Sequence, residues 1–86
     1  RLGGDEFVIL LPEASPENAF ETIERIREAL ASRPLACENF TIPITLSSGI
    51  AGLASPQESL DMLINRADKA LYTSKRTGRN RSTISD

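Results

Sequence analysis

The sequence predicts an α+β domain with elements in the order strand, helix, strand, helix, short strand, and three observations carry that prediction. The run Phe7-Val8-Ile9-Leu10-Leu11 is apolar at every position and stops at Pro12, the pattern of a strand covered on both faces. From Ile42 to Ala51 bulky and small residues alternate with period two. Two further stretches repeat their apolar residues at helical spacing, each introduced by a Ser-Pro pair. At 86 residues the chain suffices for one small domain with a limited core.

Taken in order, residues 6–11 are expected to form a strand at the centre of a sheet. Ser15 then offers an N-cap with Pro16 at the first helical position, and Phe20, Ile23, Ile26 and Leu30 recur until Arg33-Pro34 ends the pattern, which predicts a helix over 16–32. Glu21 and Arg25 stand four apart on its outward face in the favourable orientation for an ion pair. Residues 35–40 read as a loop, with Glu38 to Ile42 able to add a short irregular strand. In the strand that follows, Ile42, Ile44, Leu46, Ser48 and Ile50 share one face, while Thr45, Ser47, Gly49 and Ala51 share the other. Small side chains on that second face suit the close approach of a helix. Ser55-Pro56-Gln57-Glu58 has the form of a capping box, so a helix is expected from there. Its stripe is Leu60, Leu63, Ile64, Ala67, Ala70 and Leu71, and Gly78 is placed to end it with a positive φ. Asn80 to Ser85 read as a short edge strand.

Composition narrows the function. A formal charge of −2 and an isoelectric point near 5.1 exclude a chain-wide affinity for nucleic acid or anionic membrane, so any basic site must be local. The single Cys37 excludes an internal disulfide, and with no histidine in the chain there is no Cys-His nucleophile; Cys37 reads as a small apolar residue near a loop. No stretch approaches the roughly 20 apolar residues of a membrane span, and the apolar start is too acidic for a secretory signal. A soluble, cytoplasmic segment is expected, without direct membrane insertion. The chain lacks an initial methionine and opens within what reads as a hairpin, so it is expected to be part of a longer domain.

The chemistry is concentrated at the two ends. Gly3-Gly4 can form a tight hairpin tip and lets a ligand lie against the backbone. Asp5 and Glu6 follow at once; as successive residues of an extended segment they point to opposite faces, so without a bend or bulge only one of them can face a given ligand, and a carboxylate beside an open glycine turn suits a hard divalent cation that keeps waters and bridges to phosphate oxygens. By composition alone the same four residues also describe a solvated hairpin turn. At the other end Lys75, Arg76, Arg79 and Arg81 cluster with no acid among them. One or two such cations complement a helix C-terminus; four exceed what that role needs.

Gly3-Gly4-Asp5-Glu6-Phe7, then Thr45-Leu46-Ser47-Ser48-Gly49-Ile50-Ala51, then Arg66-Ala67-Asp68-Lys69-Ala70-Leu71-Tyr72 continuing to Lys75, Gly78, Arg79 and Asn80, together resemble the GGDEF domain family in the family's order. These are diguanylate cyclases, nucleotidyltransferases that condense two GTP into cyclic di-GMP with release of pyrophosphate. The resemblance implies that residues 1–86 are the C-terminal portion of a single GGDEF domain, a partial cyclase or palm-like (ferredoxin-like) sheet with helices. It implies that a strand from before Arg1 lies between the strand at 6–11 and that at 44–53. It implies catalytic roles for Asp5 and, in support, Glu6; Mg2+ or Mn2+ held by Asp5; and GTP approached by Gly3 and Gly4 and held at its phosphates by Lys75 and Arg79. Catalysis in the family uses a second GGDEF domain in a homodimer, and some members bind product at an inhibitory site through an arginine at the position of Arg25. A catalytically inactive receptor for GTP or cyclic di-GMP is the alternative reading, against which the intact motif residues count.

Overall fold

The computed structural model describes residues 5–86, with elements α1 (Pro16–Ser32), β1 (Leu35–Cys37), β2 (Phe40–Ile42), β3 (Ser48–Ile50), α2 (Leu60–Arg76) and β4 (Ser82–Ile84). Gly3 and Gly4 lie outside the described residues. β3 and β4 pair in parallel, Ser48 with Ser82, Gly49 with Thr83 and Ile50 with Ile84, and both helices pack on this pair. The right place for a helix on a small sheet is the face that lets it come close. Gly49 provides that face: a Cβ there would fall 2.1 Å from the Ala67 carbonyl oxygen of α2. The small-faced strand expected from the sequence is thus the surface on which α2 rests.

The α1 helix follows its signals. The Ser15 hydroxyl accepts from the Asn18 amide at 3.1 Å, Pro16 occupies the first turn, and Arg33 before Pro34 closes the helix. Its side chain Ala19, with Ile50 and Ala70, makes up the buried apolar core among the described residues. Ser74 is fully buried as well, and its hydroxyl bonds the Ser48 carbonyl at 2.8 Å and the Thr83 hydroxyl at 2.7 Å, locking α2 to β3 and β4 together. A buried hydroxyl of this kind is tolerated because both its capacities are used.

Four expectations are corrected. Residues 7–11 form no ladder, and Phe7, Ile9 and Leu10 are more than 60% exposed. An extended run becomes a buried strand only with neighbours, and among the described residues none pairs with it. The same residues and β3 both flank an open groove of about 990 Å3 and are not paired with each other. The long strand from Ile42 is divided: Pro43 has no amide to donate, residues 43–47 are unpaired, and only 48–50 join the sheet. The 35–40 loop is instead half of an antiparallel hairpin with β2, turning at Glu38 (φ 54). Its register places Leu35 opposite Ile42 and Cys37 opposite Phe40, all four exposed on one face, and the hairpin packs on none of the other elements.

The fourth correction concerns α2. It begins at Leu60, capped by the Ser59 hydroxyl, which accepts from the Met62 amide at 3.1 Å. Ser55-Pro56-Gln57-Glu58 is a tight turn closed by the Glu58 amide donating to the Ser55 carbonyl at 3.1 Å. Serine followed by proline fits position i and i+1 of a type I turn as well as it fits a helix start, so the signature is shared between two structures. What separates them is the Glu58 carboxylate. It accepts from the Ala54 amide at 2.8 Å and forks onto Arg66 of α2 at 2.8 and 2.9 Å, while Arg66 also donates to the Gly52 carbonyl.

That nearly buried contact makes stability pH-dependent. The Arg66 guanidinium, aided by the Ala54 amide, holds the Glu58 carboxyl down to about 2 from an ordinary 4.5. A depressed carboxylate contributes stability that is complete above the unfolded value and is lost as pH falls through the folded one. We therefore expect acid unfolding, followed by circular dichroism, to show a destabilising slope between about pH 4.5 and about 2 that Glu58→Gln removes in part. Identical slopes in the two proteins would assign the acid sensitivity elsewhere.

Candidate active site

The groove is walled by both helices, β3 and residues 5–11, and four residues singled out from the sequence line it together: Asp5, Glu6, Lys75 and Arg79. Asp5 and Glu6 come from the start of the described chain, Lys75 from the last turn of α2 and Arg79 from the turn that follows it. The fold therefore brings the acidic start and the basic end of the described chain to one groove, with a direct contact between Glu6 and Lys75.

Glu6 and Lys75 are in direct contact. The Lys75 ammonium donates to the Glu6 carboxylate at 2.8 Å, each side chain about one-third exposed, at 31% and 35%. An ion pair so accessible to water contributes roughly 0–1 kcal/mol. It is weak enough to be exchanged, so a stronger anion arriving in the groove can take Lys75 from Glu6. The two side chains also border a smaller cleft of about 240 Å3 with Asp68, Leu71 and Tyr72. Asp5 is exposed, and none of the described residues hydrogen-bonds its carboxylate.

Arg79 owes its place to the way α2 ends. Thr77 caps the helix, Gly78 follows at φ 133, and the Arg79 amide donates back to the Ser74 carbonyl at 2.9 Å. This is the bond that closes a helix through a glycine with positive φ. Arg79 and Asn80 continue with φ 63 and 50, a left-handed pair of non-glycine residues. The backbone so reversed brings Arg79 to the groove.

The neighbouring cations are occupied elsewhere. Arg76 lies over the Tyr72 ring, 5.9 Å from its centroid, and the Arg81 side chain folds back to donate to the Arg79 carbonyl at 3.1 Å. Neither lines the groove. Arg25 is exposed on α1, and its expected partner Glu21 is not within ion-pair distance. The close α1 charge pair is Glu24 with Arg27, at 2.6 and 2.9 Å, with Glu28 at 3.9 Å from the same guanidinium. Arg27 lowers the Glu24 carboxyl below its ordinary value, against the opposing effect of burial and with help from the Ser82 hydroxyl. Arg27 and Ser74 were not expected to matter from the sequence, and Glu58 was expected only as a helix cap. Glu24 three residues before Arg27 was the one local signal for the first.

The carboxylates fit part of a divalent site. Among the described residues no three acidic or thiol side chains gather as a metal cage. One or two carboxylates with water and substrate phosphates making up the remainder is, however, the ordinary coordination of magnesium. Asp5 and Glu6 beside a groove with cations across it match that arrangement.

Residues 1–81 match the family described as diguanylate cyclase, GGDEF domain. Diguanylate cyclase A of Treponema denticola is 39% identical over 99% of the chain, and diguanylate cyclase DosC of Escherichia coli is 44% identical over 94%. The chain spans 23% and 18% of those two relatives. Among solved structures, the active GGEEF domain of a diguanylate cyclase from Vibrio cholerae superposes over the whole chain and 54% of its own, with a TM-score of 0.88 at 37% identity. The GGDEF domain of DgcB from Caulobacter crescentus, in complex with c-di-GMP, covers 86% of the chain and 44% of its own, with a TM-score of 0.77 at 40% identity. Shared sequence, shared fold and motifs in the same order agree: the chain belongs to the GGDEF domain family.

Proposed function

We propose that the protein containing this chain is a diguanylate cyclase, joining two GTP into cyclic di-GMP and releasing two pyrophosphates. The observation that carries the reading is the convergence of Asp5 and Glu6 with Lys75 and Arg79 on one groove. The ammonium of Lys75 and the forked guanidinium of Arg79 bind the triphosphate oxygens, a task suited to a point charge beside a bidentate donor. Phosphate binding draws Lys75 away from Glu6. Asp5 would hold Mg2+ or Mn2+ there, and such a cation would supply charge stabilisation at the phosphorus and a lowered pKa for the 3′-hydroxyl. Gly3 and Gly4 leave room for the nucleotide. The attacking hydroxyl belongs to a second GTP, brought by a second GGDEF domain. Arg25, solvent-exposed and paired with no described acid, is a contact for product at a separate inhibitory site.

The phosphate assignment is tested by GTP titration calorimetry on single alanine variants of the full-length protein. Lys75→Ala and Arg79→Ala should each weaken binding by roughly 1.5–3 kcal/mol, the range for hydrogen bonds to charged groups. Arg76→Ala and Arg81→Ala should leave it nearly unchanged, since their side chains are engaged away from the groove. Equal losses at all four positions would replace a site with a diffuse basic surface.

A further inference from the structure

The turn that carries Arg79 is held from outside α2, by a residue of α1. We infer that Arg27 is a positioning residue for Arg79, acting by clamping the 78–80 turn. This rests on the reading that Arg79 binds nucleotide phosphate.

Three successive residues of that turn, Gly78, Arg79 and Asn80, have positive φ, at 133, 63 and 50. Arg79 and Asn80 carry side chains that disfavour this backbone, so the conformation persists only where the surroundings fix it. On one side it is fixed by α2 itself, through the Arg79 amide and the Ser74 carbonyl. On the other it is fixed by three contacts to Asn80. The Arg27 guanidinium donates from one nitrogen to the Asn80 carbonyl at 3.2 Å and to its side-chain oxygen at 3.1 Å, and the Asn80 amide donates to the Ser47 hydroxyl at 3.0 Å.

Arg27 can clamp because it is itself aimed. Its other two nitrogens fork onto Glu24 at 2.6 and 2.9 Å, a bidentate geometry that fixes the plane of the guanidinium. Glu24 is anchored in turn by the Ser82 hydroxyl at 2.8 Å, and Ser82 by Ser48 at 2.6 Å. The chain of contacts runs from β3 through β4 and α1 to the turn, and Arg27 is only 17% exposed within it. This chain of contacts ends on Asn80, and the side chain of the preceding Arg79 hydrogen-bonds none of these groups. Arg27 therefore sets where the phosphate ligand starts from, without meeting the phosphate.

The test uses Arg27→Lys in the full-length protein, because lysine keeps a cation for Glu24 and loses the fork that reaches Asn80. Three readouts are taken: the thermal midpoint, amide hydrogen exchange at Arg79 and Asn80 without nucleotide, and GTP affinity in the wild-type and Arg79→Ala backgrounds. The expected result is a nearly unchanged midpoint, faster exchange at both amides, and affinity weakened about tenfold, the equivalent of loosening one charge-assisted hydrogen bond. In the Arg79→Ala background the same substitution should change affinity by less than about twofold, the scatter expected when nothing further is coupled. Should Arg27→Lys instead weaken GTP equally in both backgrounds, or leave exchange and affinity untouched, the inference is overturned. If the wild-type protein binds no GTP, the phosphate reading falls, and the exchange measurement still decides whether Arg27 holds the turn.

Discussion

Asp5→Asn is expected to abolish cyclic di-GMP synthesis by the full-length protein while leaving its thermal midpoint unchanged. The amide keeps the shape of the carboxylate and loses the charge that a divalent cation requires. Because Asp5 is exposed and none of the described residues hydrogen-bonds its carboxylate, the substitution removes no contact to the described fold. A fall in turnover of at least about 10²-fold is the scale expected when a charge-stabilising group of an active site is lost. Normal turnover by this variant would remove Asp5 from the metal site. A large loss accompanied by a lowered midpoint would show that the residue acts through the fold.

The largest structural effect is expected at Gly49. A methyl group added there meets the Ala67 carbonyl oxygen at 2.1 Å and the Leu71 amide nitrogen at 2.2 Å, both backbone atoms of α2. Neither can rotate aside as a side chain would, so the helix must move off the sheet. Moving it would also stretch the Ser74 contacts to Ser48 and Thr83. Overpacking of this kind costs typically 1–3 kcal/mol, and a backbone obstacle places Gly49→Ala at the upper end. This chain spans 54% of the solved GGEEF domain from Vibrio cholerae, and for a domain of that larger size each kcal/mol lowers the midpoint by roughly 2–4 °C, so a fall of roughly 5–10 °C is expected by differential scanning calorimetry of the full-length protein. A midpoint within about 2 °C of the wild type would mean that α2 does not rest on Gly49.

The sequence made some of this legible and hid the rest for physical reasons. Helix α1 was readable to the residue, since its cap, its proline and its stripe are all local signals. Ser-Pro-Gln-Glu was misread because a capping box and a proline turn share those residues, and the Glu58–Arg66 contact that decides between them spans 8 positions. The run 7–11 was read as buried from its composition, although burial depends on neighbours that composition does not name. The hairpin was half visible: Glu38 to Ile42 suggested a strand, but its partner Leu35–Cys37 is too short to show alternation. At the site, Asp5, Glu6, Lys75 and Arg79 came from motif and resemblance, and only the fold could bring them to one groove. The clamp from Arg27 to Asn80 crosses 53 positions and has no sequence signature at all.

The account stands or falls on the reaction. The full-length protein is incubated with Mg-GTP and the nucleotides are separated by anion-exchange chromatography, with pyrophosphate measured alongside. The account predicts that GTP is consumed, that cyclic di-GMP appears as the nucleotide product, and that two pyrophosphates are released for each, since two phosphoanhydride bonds break as two phosphodiester bonds form. Recovery of intact GTP from a folded protein that binds it tightly would contradict the claim of catalysis, and would leave this groove as a nucleotide receptor.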